Sequence, residues 1–190
     1  YDASTLPTYL GPLARAYYFA TAGKGMSKTP ERKTLFGTFR DGLRPVNAYE
    51  WALRDGRSLL EIPVTTIPGI KAPFHFSYLL FLARKSEALA FGYLRTALAI
   101  CRATGVEPSF LLHPLDLMGG DEVSELAFFP GMDLPSRRKR ELFSKALTIF
   151  GEHHTPVTMS AHANAIRARA RLARRTPDAA PTVAAHSAAR

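Results

Sequence analysis

The stretch Pro108-Ser109-Phe110-Leu111-Leu112-His113-Pro114-Leu115-Asp116 decides how the fold of this chain is interpreted. Its apolar run lies between Gly105 upstream and Pro114 downstream, a pattern typical of a short buried strand. Such runs occur where a parallel sheet is covered on both faces. Because Pro114 cannot continue the hydrogen-bond ladder, the sequence predicts that the strand ends at His113.

His113 is the candidate catalytic residue of this stretch. In α/β folds, side chains at the carboxyl ends of the strands face the ligand crevice. A histidine at that place can change its charge near neutral pH and pass a proton. The alternative is a core histidine whose ring is satisfied by a backbone carbonyl, and spacing alone does not separate the two.

The elements on both sides of this stretch alternate between strand and helix. Hydrophobic periodicity predicts helices over residues 9–22, 76–83, 88–104, 137–152 and 161–174, and strands over 58–68 and 157–159. Alternation of this kind predicts an α/β domain with a parallel sheet. About three strands are visible, which is few for a covered sheet and indicates part of a larger domain.

Composition sets further bounds. The 190 residues, 46% of them hydrophobic, fit one globular domain. We expect no membrane span, since no run of about 18 apolar residues occurs, and no signal peptide is visible. Because the first residue is Tyr1, we expect a processed chain or a segment of a longer one, cytoplasmic or periplasmic. Cys101 is expected to be a buried small hydrophobe and not a reactive thiol.

The positive charge is concentrated near the end of the chain. Of the formal net charge of +9, the residues from Ser160 onward carry +5. No aromatic residue interleaves with these arginines, so platforms for stacking bases are absent. We therefore expect residues 163–190 to be an Arg/Ala-rich helix end followed by a solvated, disordered tail, with no nucleic-acid partner. A basic nucleic-acid-binding arm is the less favoured alternative.

Aromatic residues supply the candidate substrate contacts. Trp51 is the only tryptophan, and its indole face can pack against a sugar ring or anchor a core. His75 lies between Phe74 and Phe76 just after a predicted strand, which favours a loop that contacts a ligand. The four cations of residues 137–140 begin a predicted helix, where they oppose the macrodipole. They face either an anionic ligand or solvent.

Several of these segments together resemble a known family. The segment Tyr1-Asp2-Ala3-Ser4-Thr5-Leu6-Pro7 resembles the Tyr-Asp-Ser/Ala-Ser stretch of the polysaccharide deacetylases, carbohydrate esterase family four. Leu60-Glu61-Ile62-Pro63-Val64-Thr65-Thr66 resembles a later strand of that family, and Leu111-Leu112-His113-Pro114 its Leu-x-His motif. Residues 157–160 are similar to its closing strand. The pieces occur in the family's order and cover residues 1–162.

The resemblance implies both a fold and an activity. Residues 1–162 would be the C-terminal portion of a distorted (β/α) barrel with parallel strands alternating with helices. The activity would be metal-dependent hydrolysis of N-acetyl groups on an acetylated amino-sugar polymer or glycolipid, with His113 as the general acid. Asp116 is a candidate groove residue and a possible orienting partner of His113. A partner from the N-terminal half ranks above it, since the family's fourth motif has no clear match here.

The chain departs from the family in its metal ligands. The Asp-Asp pair, the His-x-x-x-His segment and the Arg-x-Pro motif would all precede Tyr1, in an N-terminal half of the barrel. The zinc that the family implies would be held there, so we expect no metal ligand or cofactor in this segment and no activity from it alone. His153, His154 and His162 do not reproduce the ligand spacing. The alternative function is a non-catalytic glycan-binding module.

Overall fold

The structure is a computed structural model, and it describes residues 1–13, 38–129, 131–169 and 171–177. The helix predicted over residues 9–22 lies mostly outside these ranges, and so does half of the predicted tail over 163–190. The described part contains three strands and four complete α-helices, and residues 11–13 are also helical. The helices are α1 (Phe76–Ala83), α2 (Glu87–Ala103), α3 (Ser136–His153) and α4 (Met159–Arg169); the strands are β1 (Tyr49–Ala52), β2 (Ser58–Glu61) and β3 (Arg174–Arg175).

The helices form close to where hydrophobic periodicity predicts them. Ser86 caps α2, because its side chain accepts the amide of Leu89 at 3.3 Å. Gly105 follows the helix with φ +68°, a left-handed conformation that glycine adopts without a Cβ penalty. The predicted bounds of α1 are confirmed, and those of α2 and α3 differ by one residue at each end. Ser136 lies inside the first turn of α3, after Pro135.

The apolar faces of α1, α2 and α3 form the main hydrophobic core. Leu94, Leu98 and Cys101 of α2 are fully buried, so the prediction of Cys101 as a buried hydrophobe is confirmed. Burial raises the pKa of its thiol to about 11, which leaves it unreactive near neutral pH. The other buried members of this core are Ile67, Phe74, Phe76, Leu79, Leu80, Ala97, Val106, Leu142, Ala146, Ile149 and Phe150.

The sheet is small and mixed. Its strand order is β2-β1-β3, with β1 antiparallel to β2 in the register Tyr49↔Glu61 and parallel to β3 in the register Glu50↔Arg174. A second apolar cluster joins this sheet to α4 and contains Leu60, Ile62, Ala163 and Ile166. The described residues are therefore of mixed helix-and-sheet type. The prediction of a purely parallel sheet is wrong, because β1 and β2 are joined by a hairpin turn.

The strand predicted before His113 is also wrong. Residues 106–113 are extended but form no ladder. Thr65 donates its amide to the carbonyl of Ser109 at 3.2 Å, but the amide of Ser109 is bound at 2.7 Å by the Thr65 hydroxyl and not by a backbone carbonyl. Prolines at 63, 108 and 114 supply no amide donor, so a regular ladder cannot form here. Two further strand predictions differ: β2 ends at Glu61, and α4 begins at Met159 where a last strand was predicted.

The N-terminal segment lies beside the chain that follows β2. Asp2 forms a parallel bridge with Glu61, and the amide of Ile62 donates to the Asp2 carbonyl at 2.9 Å. Val64 donates to the carbonyl of Thr5 at 2.8 Å. These bonds hold residues 2–5 against residues 60–64. Across the described ranges, no helix is long and apolar enough to cross a membrane.

Candidate functional site

The candidate site is a hydrogen-bonded group of three side chains around His113. The Oγ of Ser77 lies 3.0 Å from Nδ1 of His113 and donates to Oδ1 of Asp116 at 2.7 Å. Oδ2 of Asp116 accepts the backbone amide of His113 at 2.9 Å and lies 3.5 Å from its Nδ1. The Nδ1 edge of the imidazole therefore contacts a hydroxyl and a carboxylate.

Two local features place these groups. Pro114 presets the backbone angle for a 3₁₀ turn over Pro114–Asp116, in which the Asp116 amide donates to the His113 carbonyl at 2.9 Å. That turn brings the Asp116 carboxylate back onto His113. Ser77 comes from the first turn of α1, which is joined to the extended chain by a bond of 3.3 Å from the Phe76 amide to the Leu111 carbonyl.

The geometry assigns the proton of the His113 ring. The Ser77 hydroxyl has one proton, and it goes to Asp116, because a carboxylate has no proton to give in return. Nδ1 of His113 must then be the donor in its contact with Ser77. With Asp116 Oδ2 also facing Nδ1, we expect the neutral ring to carry its proton on Nδ1 and to leave Nε2 unprotonated.

The arrangement suits proton transfer through Nε2. The His113 side chain is 52% exposed, and in the part of the chain that the structure describes Nε2 has no hydrogen-bond partner. When the ring is charged, Nε2 can donate a proton to a leaving group; when it is neutral, Nε2 can accept one. The His113 ring does not activate Ser77 as a nucleophile, because the Ser77 hydroxyl donates its proton to Asp116 and not to the ring.

A second histidine, His75, lies beside the first. The ring centroids of His75 and His113 are 5.8 Å apart, and His75 also packs edge-on against Tyr78 at 4.7 Å. His75 is buried, and its Nδ1 has no hydrogen-bond partner among the described residues. Burial, with a smaller contribution from the charge of His113, lowers the pKa of His75 to about 4. His75 is therefore neutral near pH 7 and adds no positive charge beside His113.

The two phenylalanines beside His75 are buried. Phe74 and Phe76 are 0% exposed and belong to the main core, where the ring of Phe76 packs edge-on against Phe143 at 5.3 Å. This burial favours a structural role for Phe74 and Phe76, and their contact with substrate stays a prediction. In the core they anchor the turn that places His75 and Ser77 next to His113.

Trp51 is held by its own contacts in β1. Its Nε1 donates to Oε2 of the buried Glu61 at 3.1 Å, and its ring lies edge-on to Tyr49 at 4.9 Å. The guanidinium of Arg44 lies 5.6 Å from the ring centroid. These contacts favour the anchoring role that was the alternative for Trp51. Its role as a substrate contact stays a prediction.

The basic start of α3 is neutralised within the chain. Arg137 and Arg138 pair with Glu141, Arg138 also pairs with Glu87 of α2, and Arg140 pairs with Glu122 at 2.9 Å. Lys139 is buried and donates to backbone carbonyls. These cations have partners of their own, which favours a structural role over an anion-binding surface.

The described residues do not fit a divalent cation. No three of their histidine, cysteine, aspartate or glutamate side chains come together as a possible ligand set. His162 lies 3.7 Å from Glu107, but that glutamate is bound on both oxygens by Arg169 at 2.7 and 2.8 Å. We therefore derive no chemical step through a metal.

Two cavities lie away from His113. One, of about 520 Å³, is lined mainly by apolar side chains between the end of α3 and α4. The other, of about 390 Å³, is more polar and lies between α4 and residues 46–48 and 171–173. Both are bordered by Glu107, His162 and Arg169. Neither is lined by His113, so the candidate site is the exposed face of this imidazole and not one of these cavities.

Sequence reasoning missed Ser77. It lies 36 residues from His113, and nothing in its neighbourhood marks it as a partner. Asp116, in contrast, is close enough in sequence to be considered as an orienting partner, and the structure places it there. Because Asp116 is buried and engaged by three groups, its predicted contact with a glycan is not supported by its position.

No protein-family model matches the chain, and neither curated proteins nor solved structures gave a match.

Proposed function

We propose that this chain is the C-terminal part of a polysaccharide-deacetylase-like hydrolase, in which His113 is the general acid. The substrate class is an N-acetylated amino-sugar polymer or glycolipid. In the proposed step, protonated Nε2 of His113 gives its proton to the departing amine as the bond from carbonyl carbon to nitrogen breaks. The neutral ring keeps the other proton on Nδ1.

The observation that carries this proposal is that the two ring nitrogens of His113 have different surroundings. Ser77 and Asp116 engage Nδ1 at 3.0 and 3.5 Å, and Nε2 is left without a partner on a half-exposed ring. A core histidine would have both nitrogens satisfied or sealed from solvent. An acid that must meet a polymer needs an accessible nitrogen on a ring whose orientation is fixed.

The relative position of the family-like segments gives further support. Residues 2–5 lie beside residues 60–64 through three backbone hydrogen bonds of 2.7 to 2.9 Å. Thr65, which directly follows residues 60–64, binds Ser109 of the stretch before His113 through its amide and its hydroxyl. Segments far apart in sequence are thus neighbours, as consecutive strands of a barrel would be. We propose that the barrel is completed by chain that precedes Tyr1.

The experiment is acetate release from N-acetylated glucosamine oligomers in the longer protein that this proposal requires, with zinc supplied. His113→Ala should lower the rate by about 10²–10⁴, the usual contribution of a general acid. His153→Ala, a histidine at the end of α3 outside the site, serves as the matched control and should leave the rate unchanged.

Two results would contradict the proposal. Near-normal acetate release by His113→Ala would remove its mechanism. Clear turnover by residues 1–190 alone would show that the site is complete without preceding chain, and the barrel proposal would fail.

A further inference from the structure

We propose that Lys139 is a positioning residue for His113, because its buried ammonium fixes the turn that carries Asp116. Its consequence for catalysis rests on the function proposed above; its effect on the His113 ring does not. Lys139 is buried although no ion pair holds it among the described residues.

Lys139 is 1% exposed, although lysine is almost never fully buried unless it is paired. Its Nζ donates to the carbonyls of Leu115 at 2.7 Å and Met118 at 2.6 Å, and the sulfur of Met132 lies 3.8 Å away. Within the described ranges, no carboxylate lies within ion-pair distance of Nζ. Taking a charge out of water costs several kcal/mol, so a lysine held only by neutral groups points to a specific structural task.

The two carbonyls that it binds lie on either side of Asp116 in the chain. Holding Leu115 and Met118 to one ammonium fixes the backbone between them, and therefore the direction of the Asp116 side chain. Asp116 in turn accepts the Ser77 hydroxyl at 2.7 Å and the His113 amide at 2.9 Å. Lys139 is thus linked to His113 through the turn and through one carboxylate.

The negative charges around Lys139 favour its charged form and so act against the effect of burial. Burial lowers the pKa of Lys139, and the negative charges of Asp116, Asp121 and Asp133 oppose that effect. Hydrogen bonds also join the start of α3 to residues 119–121, which follow this turn. The Ser136 hydroxyl accepts the Gly119 amide at 2.7 Å, and the Ser136 amide donates to Asp121 at 2.9 Å. The helix start and the turn therefore form one hydrogen-bonded unit.

The test is the tautomer of His113, measured by ¹⁵N NMR of the ring nitrogens at a pH where the ring is neutral. The wild-type chain and the control Lys145→Met, an exposed lysine of the same helix, should carry the proton on Nδ1. In Lys139→Met the turn loses its donor, and the Nε2–H form should become the predominant one. An unchanged Nδ1–H ring in folded Lys139→Met would overturn the proposal.

A second variant guards against a folding defect. Lys139→Gln keeps a neutral amide donor, and it should fold and show a mixture of the two tautomers. Failure of both variants to fold would also overturn the proposal, because Lys139 would then serve the fold as a whole and not this turn.

The same variants separate this inference from the proposed function. In the acetate assay, Lys139→Met should lower kcat and leave KM nearly unchanged, because the residue does not touch substrate. A shifted tautomer together with normal acetate release by His113→Ala would refute the proposed function and leave the positioning role intact. An unshifted tautomer together with an inactive His113→Ala would refute the positioning role and leave the proposed function intact.

Discussion

The helical region and the extended region of this molecule hold their backbones in different ways. In the interiors of α1, α2 and α3 the backbone groups are bonded within their own helix, and many side chains serve to bury apolar surface. In residues 60–67 and 107–113, side chains such as Thr65 take over bonds that a strand ladder would make. Both regions bury apolar side chains, including Ile67 and Ile62 of the extended region, but the extended region depends more on individual side-chain bonds to satisfy its backbone.

The largest effect is expected in the helical region. Phe76→Ala removes a ring that is 0% exposed and packs against Phe143, so it should lower the free energy of unfolding by about 3–5 kcal/mol. Denaturant unfolding of the folded chain measures this. A loss below about 1 kcal/mol would show that the core can close around the cavity, and the contrast between the two regions would weaken.

The boundary between the regions contains His75, which makes stability depend on pH. Its pKa in the folded chain is about 4, below the ordinary 6.5, so the unfolded chain binds the proton more readily between these values. The contribution of His75 is fully present above pH 6.5 and is lost as the pH falls toward 4, by about 3 kcal/mol in total.

The check is to compare wild type with His75→Phe across that pH range. The difference in unfolding free energy between the two should change with pH between 6.5 and 4 and become constant above 6.5. A difference that stays constant throughout would mean that His75 titrates alike in the folded and unfolded chains.

A smaller effect is expected in the extended region. Thr65→Val keeps the side-chain shape but leaves the buried amide of Ser109 without its acceptor, which should cost about 1–3 kcal/mol. Hydrogen exchange at Ser109 should become faster in this variant. Thr148→Val, an exposed threonine of α3, is the control and should change stability by less than about 0.5 kcal/mol. Equal effects of the two substitutions would contradict the account of this region.

The same contrast explains what the sequence could predict. Helical periodicity is local, and it located α1, α2 and α3 to within about one residue. The hairpin of β1 and β2 was missed, although Asp55-Gly56 in its turn, with Gly56 at φ +82°, is a known hairpin signal. The prediction of a strand before His113 was wrong. Its apolar run does not show that the Thr65 hydroxyl takes the place of a backbone acceptor and that three nearby prolines supply no amide donor.

The residues of the candidate site also differ in whether a local sequence pattern predicts them. His113 could be chosen from sequence, since a histidine before a proline at the end of an apolar run is a local pattern. Asp116 is three residues away and was considered as its partner. Ser77 and Lys139 reach the site only through tertiary packing, and no periodicity or spacing connects them to His113.

The most direct test of the central claim is the tautomer of His113 in the wild-type chain. Long-range ¹H–¹⁵N NMR spectra distinguish a protonated from an unprotonated ring nitrogen, and Ser77→Ala and Asp116→Asn report on the groups that face Nδ1. The account predicts a proton on Nδ1 and a free Nε2 in the neutral wild-type ring, with the preference lost in Asp116→Asn. A wild-type ring that carries its proton on Nε2 would contradict it.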